Sequence, residues 1–231
     1  MSLKEWKNWK HVTKLDPDRL NTEEIISTVV NSGTDAIIIG GTLNVTREKV
    51  EKLISKITEY RKSIPIVLEP SNPECVTFTN IDYLFIPSVL NTKNIVWISK
   101  AIVEWIKNER RKNVEIPWSK VVGEAYIVLN PKSSVAKVTE ADTDLTIDDV
   151  VAYAIYAEQY LSFPIVYIEY SGVFGNPEFV KAVSENIVNA KLFYGGGINS
   201  RNKALTMSKY ATIVVGNVVY EDLNKYLETI I

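Results

Sequence analysis

Eight short apolar runs, each separated from the next by a longer segment, dominate this chain of 231 residues. They span residues 11–16, 36–41, 64–70, 81–87, 125–130, 165–170, 191–197 and 212–217. The runs are rich in Val, Ile, Tyr and Phe and lack clean alternation, which is the pattern of strands buried on both faces of a parallel sheet. Most of the intervening segments have a helical period. Val50, Leu53, Ile54 and Ile57 share one face of a helix predicted over 46–60. Asn21-Thr22-Glu23-Glu24 reads as a helix start, and Pro177 suits the first turn of another. Further helices are predicted over 94–111, 146–161, 177–189, 200–210 and 221–231. The segment 71–80 has two asparagines, a proline and no period, so a regular third helix is not expected there. Alternating strand and helix signals predict a parallel α/β sheet, and eight of them predict closure into a (β/α)8 TIM barrel with an irregular segment in place of the third helix. Residues 1–231 are expected to form one such domain, an open doubly wound sheet being the alternative.

Composition narrows the class of partner. The net charge is -2, with cations spread along the chain, which argues against nucleic acid or an anionic membrane as the main partner. A lone cysteine, Cys75, permits neither an internal disulfide nor a zinc cluster, so an intracellular, cytoplasmic protein is expected. The charged segment 1–10 lacks the apolar stretch of a signal peptide, and no apolar run approaches the ~18 residues of a membrane span.

Barrel enzymes place their chemistry at the C-terminal strand ends. Strand seven ends in Tyr194-Gly195-Gly196-Gly197-Ile198 and strand eight in Val214-Val215-Gly216-Asn217. Glycine turns at these two strands leave main-chain N–H groups open to an anion, the phosphate grip of this architecture, although each would also serve as a plain tight turn. Strand six ends Tyr167-Ile168-Glu169-Tyr170-Ser171-Gly172, with Tyr167 and Glu169 on one face and Ile168 and Tyr170 on the other. Glu169 is a candidate to orient or deprotonate a substrate hydroxyl, or else half of a buried ion pair. Strand one offers Lys14 as a phosphate cation and Asp16 as a hard oxygen ligand for Mg²⁺, unless the two pair with each other. Thr42, after strand two, is placed to complete that site or to cap the next helix. His11, the single histidine, reads as structural, and Cys75 has no evident base beside it.

The helix after strand four carries Trp97, Ala101 and Trp105 at i, i+4 and i+8, with Ile98 and Ile102 beside them. Such a stripe commonly packs on the barrel. Here the neighbouring segment 71–80 supplies no covering helix, which would leave an apolar groove for a hydrocarbon with Trp105 at its far end.

Together these motifs are specific. The stretch from Trp9-Lys10-His11-Val12-Thr13 through Lys14-Leu15-Asp16-Pro17, then Ser32-Gly33-Thr34-Asp35-Ala36 with Gly40-Gly41-Thr42, Tyr167 through Gly172, Leu192 through Ile198 and Val215-Gly216-Asn217 stand in one order along nearly the whole chain. The sequence resembles the geranylgeranylglyceryl phosphate synthase family, which includes the bacterial heptaprenylglyceryl phosphate synthases. The resemblance implies transfer of a polyprenyl group from its diphosphate to the C3 hydroxyl of sn-glycerol 1-phosphate with Mg²⁺, the first ether bond of archaeal membrane lipids. It implies that Lys14, Tyr167, Ile168, Glu169, Tyr170, Ser171, Gly172, Gly196, Gly197, Gly216 and Asn217 form the glycerol phosphate pocket, and that Asp16 and Thr42 hold the metal. It also implies a homodimer, and a lipid product makes peripheral membrane contact plausible. Archaeal relatives carry a tryptophan at the position of Trp105 that limits the donor to about twenty carbons, which favours geranylgeranyl diphosphate. The segments 140–145 and 148–154 look like the bacterial branch, and the family's Glu-Gly-Tyr is here Glu124-Ala125-Tyr126. The alternatives are a heptaprenyl donor, another phosphate-binding barrel such as a sugar phosphate isomerase or lyase, or a non-catalytic phosphate-ester-binding barrel.

Overall fold

A computed structural model describes residues 5–61 and 63–231. Eight parallel strands close into a barrel in chain order: β1 (His11–Leu15), β2 (Ala36–Ile39), β3 (Ile66–Leu68), β4 (Tyr83–Val89), β5 (Val121–Val128), β6 (Ile165–Glu169), β7 (Lys191–Gly195) and β8 (Thr212–Val215). Closure is made by β1 against β8, with His11 opposite Ile213 and Thr13 opposite Val215.

The helices around it are α1 (Glu23–Asn31), α2 (Arg47–Tyr60), α3 (Ala101–Arg111), α4 (Ser134–Thr139), α5 (Ile147–Ile155), α6 (Pro177–Asn186), α7 (Arg201–Met207), α8 (Val218–Glu221) and α9 (Leu223–Glu228). Thr22, Thr46 and Asn176 cap α1, α2 and α6 through their side-chain oxygens, and Pro177 fills the first turn of α6. Between β3 and β4 there is only a short 3-10 turn, Pro73–Cys75, so the third barrel helix is absent as expected.

Differences from the sequence pattern have local causes. The helix expected from residue 94 opens with a π turn, Val96–Lys100, and Ser88 Oγ on β4 donates 2.6 Å to the Ile98 carbonyl within it. The C-terminal helix is broken in two because Asp222 is extended (φ -162, ψ 104) and its side chain caps the N–H groups of Asn224 and Lys225. Strand β5 starts four residues before the predicted run, since Gly123 and the buried Glu124 interrupt the apolar signal. The short α4 had no periodicity to announce it.

Two apolar layers result. Alternate strand residues, such as Ile37, Ile39, Ile127 and Ile168, pack outward against the helices. The others fill the barrel, with Trp6, Trp9, Tyr83, Phe85 and Phe193 in mutual edge and tilted contacts. Aromatic packing fills this part of the barrel interior, while Lys14, Glu69 and Glu169 bring charge to its C-terminal mouth. His11 is buried on the outer side, hydrogen-bonded through its two ring nitrogens to Thr34 (2.9 Å) and Thr229 (3.1 Å), the structural role expected of it. Cys75 is buried and free.

Candidate active site

The C-terminal rim opens into a cleft of about 780 Å³, a size suited to small ligands. Lys14 and Asp16 reach it from the end of β1, and Thr42 from the loop after β2. Tyr167, Glu169, Ser171 and Gly172 enter from β6, and Gly196, Gly197, Gly216 and Asn217 from the turns after β7 and β8. Residues far apart in sequence thus share one wall. Ile168 and Tyr170 do not line it: the pleat turns both side chains into the outer layer against the helices. Their expected place in the pocket is corrected accordingly, leaving only their main chain near the rim.

Lys14 does not pair with Asp16. Its ammonium is ion-paired with Glu69 at the end of β3, and Tyr126 Oη donates 2.7 Å to the other Glu69 oxygen. Burial works against the Lys14 charge, but Glu69, Glu169 and Glu124 outweigh it and hold its pKa above the ordinary lysine value. Tyr126 in turn stacks on Tyr167, ring centroids 4.3 Å apart. Glu69 and Tyr126 were not singled out in the sequence, although Glu69-Pro70 ends its strand just as Asp16-Pro17 follows β1.

Glu169 is buried but not ion-paired. One of its oxygens accepts from Ser171 N (2.5 Å) and Ser171 Oγ (2.7 Å), leaving the second free toward the cleft among the described residues. Burial raises its pKa above the usual carboxylate value, with Lys14 and Ser171 opposing. Glu124, one pleat below Tyr126, is wholly buried with both oxygens unpartnered. Burial and then the Glu69 charge push its pKa well above the ordinary range, which favours its neutral form.

The glycine turns are sterically constrained on one side only. Gly197 has φ +53, and a β-carbon there would strike the Val173–Phe174 peptide. At Gly216 a β-carbon would make only ordinary contact, 3.6 Å from the Lys14 carbonyl oxygen. Among the described residues no hydrogen bond within the protein uses the N–H of Gly197 or Asn217, which leaves both free at the rim. Because α7 and α8 are short, an anion at this rim would meet these amides and nearby cations rather than a long helix dipole. Arg19, Lys132 and Lys203 also line the cleft. The pattern of the sequence did not separate them from other surface cations.

Asp16 stands at the opposite edge. Its Oδ1 accepts from Asp18 N (2.9 Å), and any side chain at Gly41 would run into the carboxylate. Burial raises the Asp16 pKa, and no lysine or arginine forms an ion pair with it among the described residues. No three of His, Cys, Asp and Glu gather as metal ligands among the described residues. One unpaired carboxylate near a hydroxyl suits a Mg²⁺ that draws its remaining ligands from phosphate and water.

From this mouth an apolar groove runs along the flank left open by the missing helix. Val76 comes from the irregular segment, Ile86 from β4, and Trp97, Ala101, Ile102 and Trp105 from the π turn and α3. Groove and cleft share Lys14, Gly41, Thr42, Val135, Glu169 and Ser171.

The sequence pattern that describes the PcrB family matches residues 4–231. The chain belongs to the PcrB family. Among its relatives, the geranylgeranylglyceryl phosphate synthase of Methanospirillum hungatei JF-1 is 50% identical over 227 residues, covering 97% of this chain and 96% of the relative. The heptaprenylglyceryl phosphate synthase of Lysinibacillus sphaericus is 45% identical over 223 residues, covering 96% and 95%. The crystal structure of (S)-3-O-geranylgeranylglyceryl phosphate synthase from Thermoplasma acidophilum in complex with sn-glycerol-1-phosphate superposes with a TM-score of 0.80 at 25% identity, covering 99% of this chain and 96% of that one. In this PcrB-family chain no helix among the described residues is long and apolar enough to cross a membrane.

Proposed function

We propose that this protein joins a geranylgeranyl group to the C3 hydroxyl of sn-glycerol 1-phosphate, releasing diphosphate. The observation that carries the proposal is the shared boundary of a polar cleft and an apolar groove at Lys14, Thr42 and Glu169. A substrate pair with two anionic heads and one hydrocarbon tail needs that junction. Half-identical relatives named for this reaction support it.

In this reading the glycerol phosphate sits against the free amides of Gly197 and Asn217, with Lys203 and Arg19 adding charge beside them. The free Glu169 oxygen receives the hydrogen bond of the C3 hydroxyl and takes its proton as the new C–O bond forms and the allylic C–O bond to diphosphate breaks. Its raised pKa makes it a better acceptor than a surface carboxylate. Lys14, fixed by Glu69, sits where the two head groups meet, and Tyr167 walls the pocket. Holding hydroxyl and allylic carbon together supplies much of the rate. Asp16 and Thr42 would hold Mg²⁺, which when bound supplies Lewis-acid neutralisation of the leaving diphosphate. Trp105 closes the groove against longer donors. The reading includes a cytoplasmic homodimer that touches a membrane surface to collect donor and shed product.

The test is incubation with labelled glycerol 1-phosphate, Mg²⁺ and prenyl diphosphates of several lengths, followed by chromatography of the extracted lipid. Label in a lipid of geranylgeranyl length supports the proposal. A heptaprenyl product alone assigns the longer donor, and no lipid product with any donor refutes the prenyl transfer.

A further inference from the structure

Trp105 lines the groove and is almost wholly buried, yet nothing polar holds it. A buried indole usually fixes its ring plane by donating from Nε1. The Nε1 of Trp105 has no partner among the described residues. Within the apolar core two aromatic rings pack against it. Phe78 lies 6.4 Å away between centroids at 47°, and Trp118 meets it edge-on at 6.0 Å and 65°. Phe78 comes from the irregular segment that replaces the third helix. Trp118 opens the 3-10 turn Trp118–Lys120 just before β5. Neither ring lines the groove itself. Trp118 is 57% exposed, so it is not a core residue.

We propose that Trp118 and Phe78 are positioning residues for donor length: they clamp the Trp105 indole across the end of the groove, so that three rings rather than one side chain set how long a prenyl group fits. The inference rests on the prenyl-transfer reading and deepens it. A donor longer than the groove must turn Trp105 aside. Each ring contact raises the cost of that turn, and removing one edge-on contact corresponds to a change of about three- to tenfold in the population of the displaced ring. The irregular segment then has a second use: besides leaving the flank open, it brings Phe78 to the ruler.

Wild type, Trp118→Ala, Trp118→Phe, Phe78→Leu and Trp105→Ala are compared for kcat/KM with geranylgeranyl and heptaprenyl diphosphates. The clamp predicts that Trp118→Ala and Phe78→Leu each raise the heptaprenyl-to-geranylgeranyl ratio about three- to tenfold, through a lower KM for the longer donor. The kcat with geranylgeranyl diphosphate stays at the wild-type value, and Trp118→Phe restores most of the wild-type ratio. A merely structural role would lower both donors' rates together and leave the ratio fixed. An unchanged ratio in Trp118→Ala and Phe78→Leu, beside a raised one in Trp105→Ala, overturns the clamp and spares prenyl transfer. An unchanged ratio in Trp105→Ala as well removes Trp105 from donor selection and the clamp with it. A wild type that transfers neither group refutes the underlying reading.

Discussion

The Tyr126 hydroxyl donates 2.7 Å to Glu69, tying the fifth strand to the end of the third across the mouth of the barrel, while Lys14 holds the other oxygen of the same carboxylate. Glu69 is therefore the hub, and the two partners depend on it unequally. Tyr126→Phe deletes one hydrogen bond and is expected to cost about 1 kcal/mol of stability. Glu69→Ala strands both Lys14 and the phenol and is expected to cost more, roughly 2–3 kcal/mol given that Lys14 retains some access to water. Urea denaturation checks the order, which a larger loss in Tyr126→Phe would contradict.

Gly197 is expected to tolerate no side chain. Gly197→Ala meets both an unfavourable positive φ (+53) and the Val173–Phe174 peptide. Affinity for glycerol phosphate, measured by calorimetry, should fall at least about tenfold, with a stability loss of roughly 1–3 kcal/mol. Gly216→Ala, which has space on the protein side, should lose affinity with little change in stability.

Glu124 is unpartnered in the barrel, and burial and the Glu69 charge raise its pKa, which favours the neutral acid. A carboxyl whose folded pKa lies above its unfolded value supports the fold below the unfolded pKa and loses that support as pH rises. Glu124→Gln removes this penalty. The variant should melt higher than wild type at pH 8, by at least ~2 °C, and the gap should close as the pH falls toward 4.5.

His11 behaves in the opposite sense. Burial lowers its pKa from 6.5 to about 4, so the folded state keeps it neutral while the unfolded chain protonates it. Its contribution is present above pH 6.5 and drains away as the pH falls toward 4, by roughly 3 kcal/mol in full. His11→Asn should flatten the fall in unfolding free energy between pH 6.5 and 5. An unchanged slope would show that other groups carry it.

Asp16→Asn removes the carboxylate proposed to hold Mg²⁺. The kcat should drop at least about a hundredfold, and the Mg²⁺ concentration for half-maximal rate should rise. Glycerol phosphate affinity in the absence of metal should stay within about twofold. Full activity in the variant would move the ion elsewhere.

What the sequence settled by itself is what local chemistry and period control. The eight strands, the helix start at Asn21-Thr22-Glu23-Glu24, the place of Pro177 in a first turn, the missing third helix and the glycine turns after β7 and β8 were all legible because each rests on neighbours along the chain. Alternation on β6 even separated Glu169 and Tyr167 from Ile168 and Tyr170 before the barrel turned the second pair outward.

Only the tertiary structure decided which charges meet. Lys14 had Asp16 two residues away and chose Glu69, because the curl of the barrel brings the ends of β1 and β3 together while the pleat and Gly41 hold Asp16 at the edge. Glu124 broke an apolar run and so hid the start of its strand. The grip of Phe78 and Trp118 on Trp105 joins three distant segments. Such partnerships depend on distances through space between chain segments that share no period, and closing the barrel is what fixes those distances.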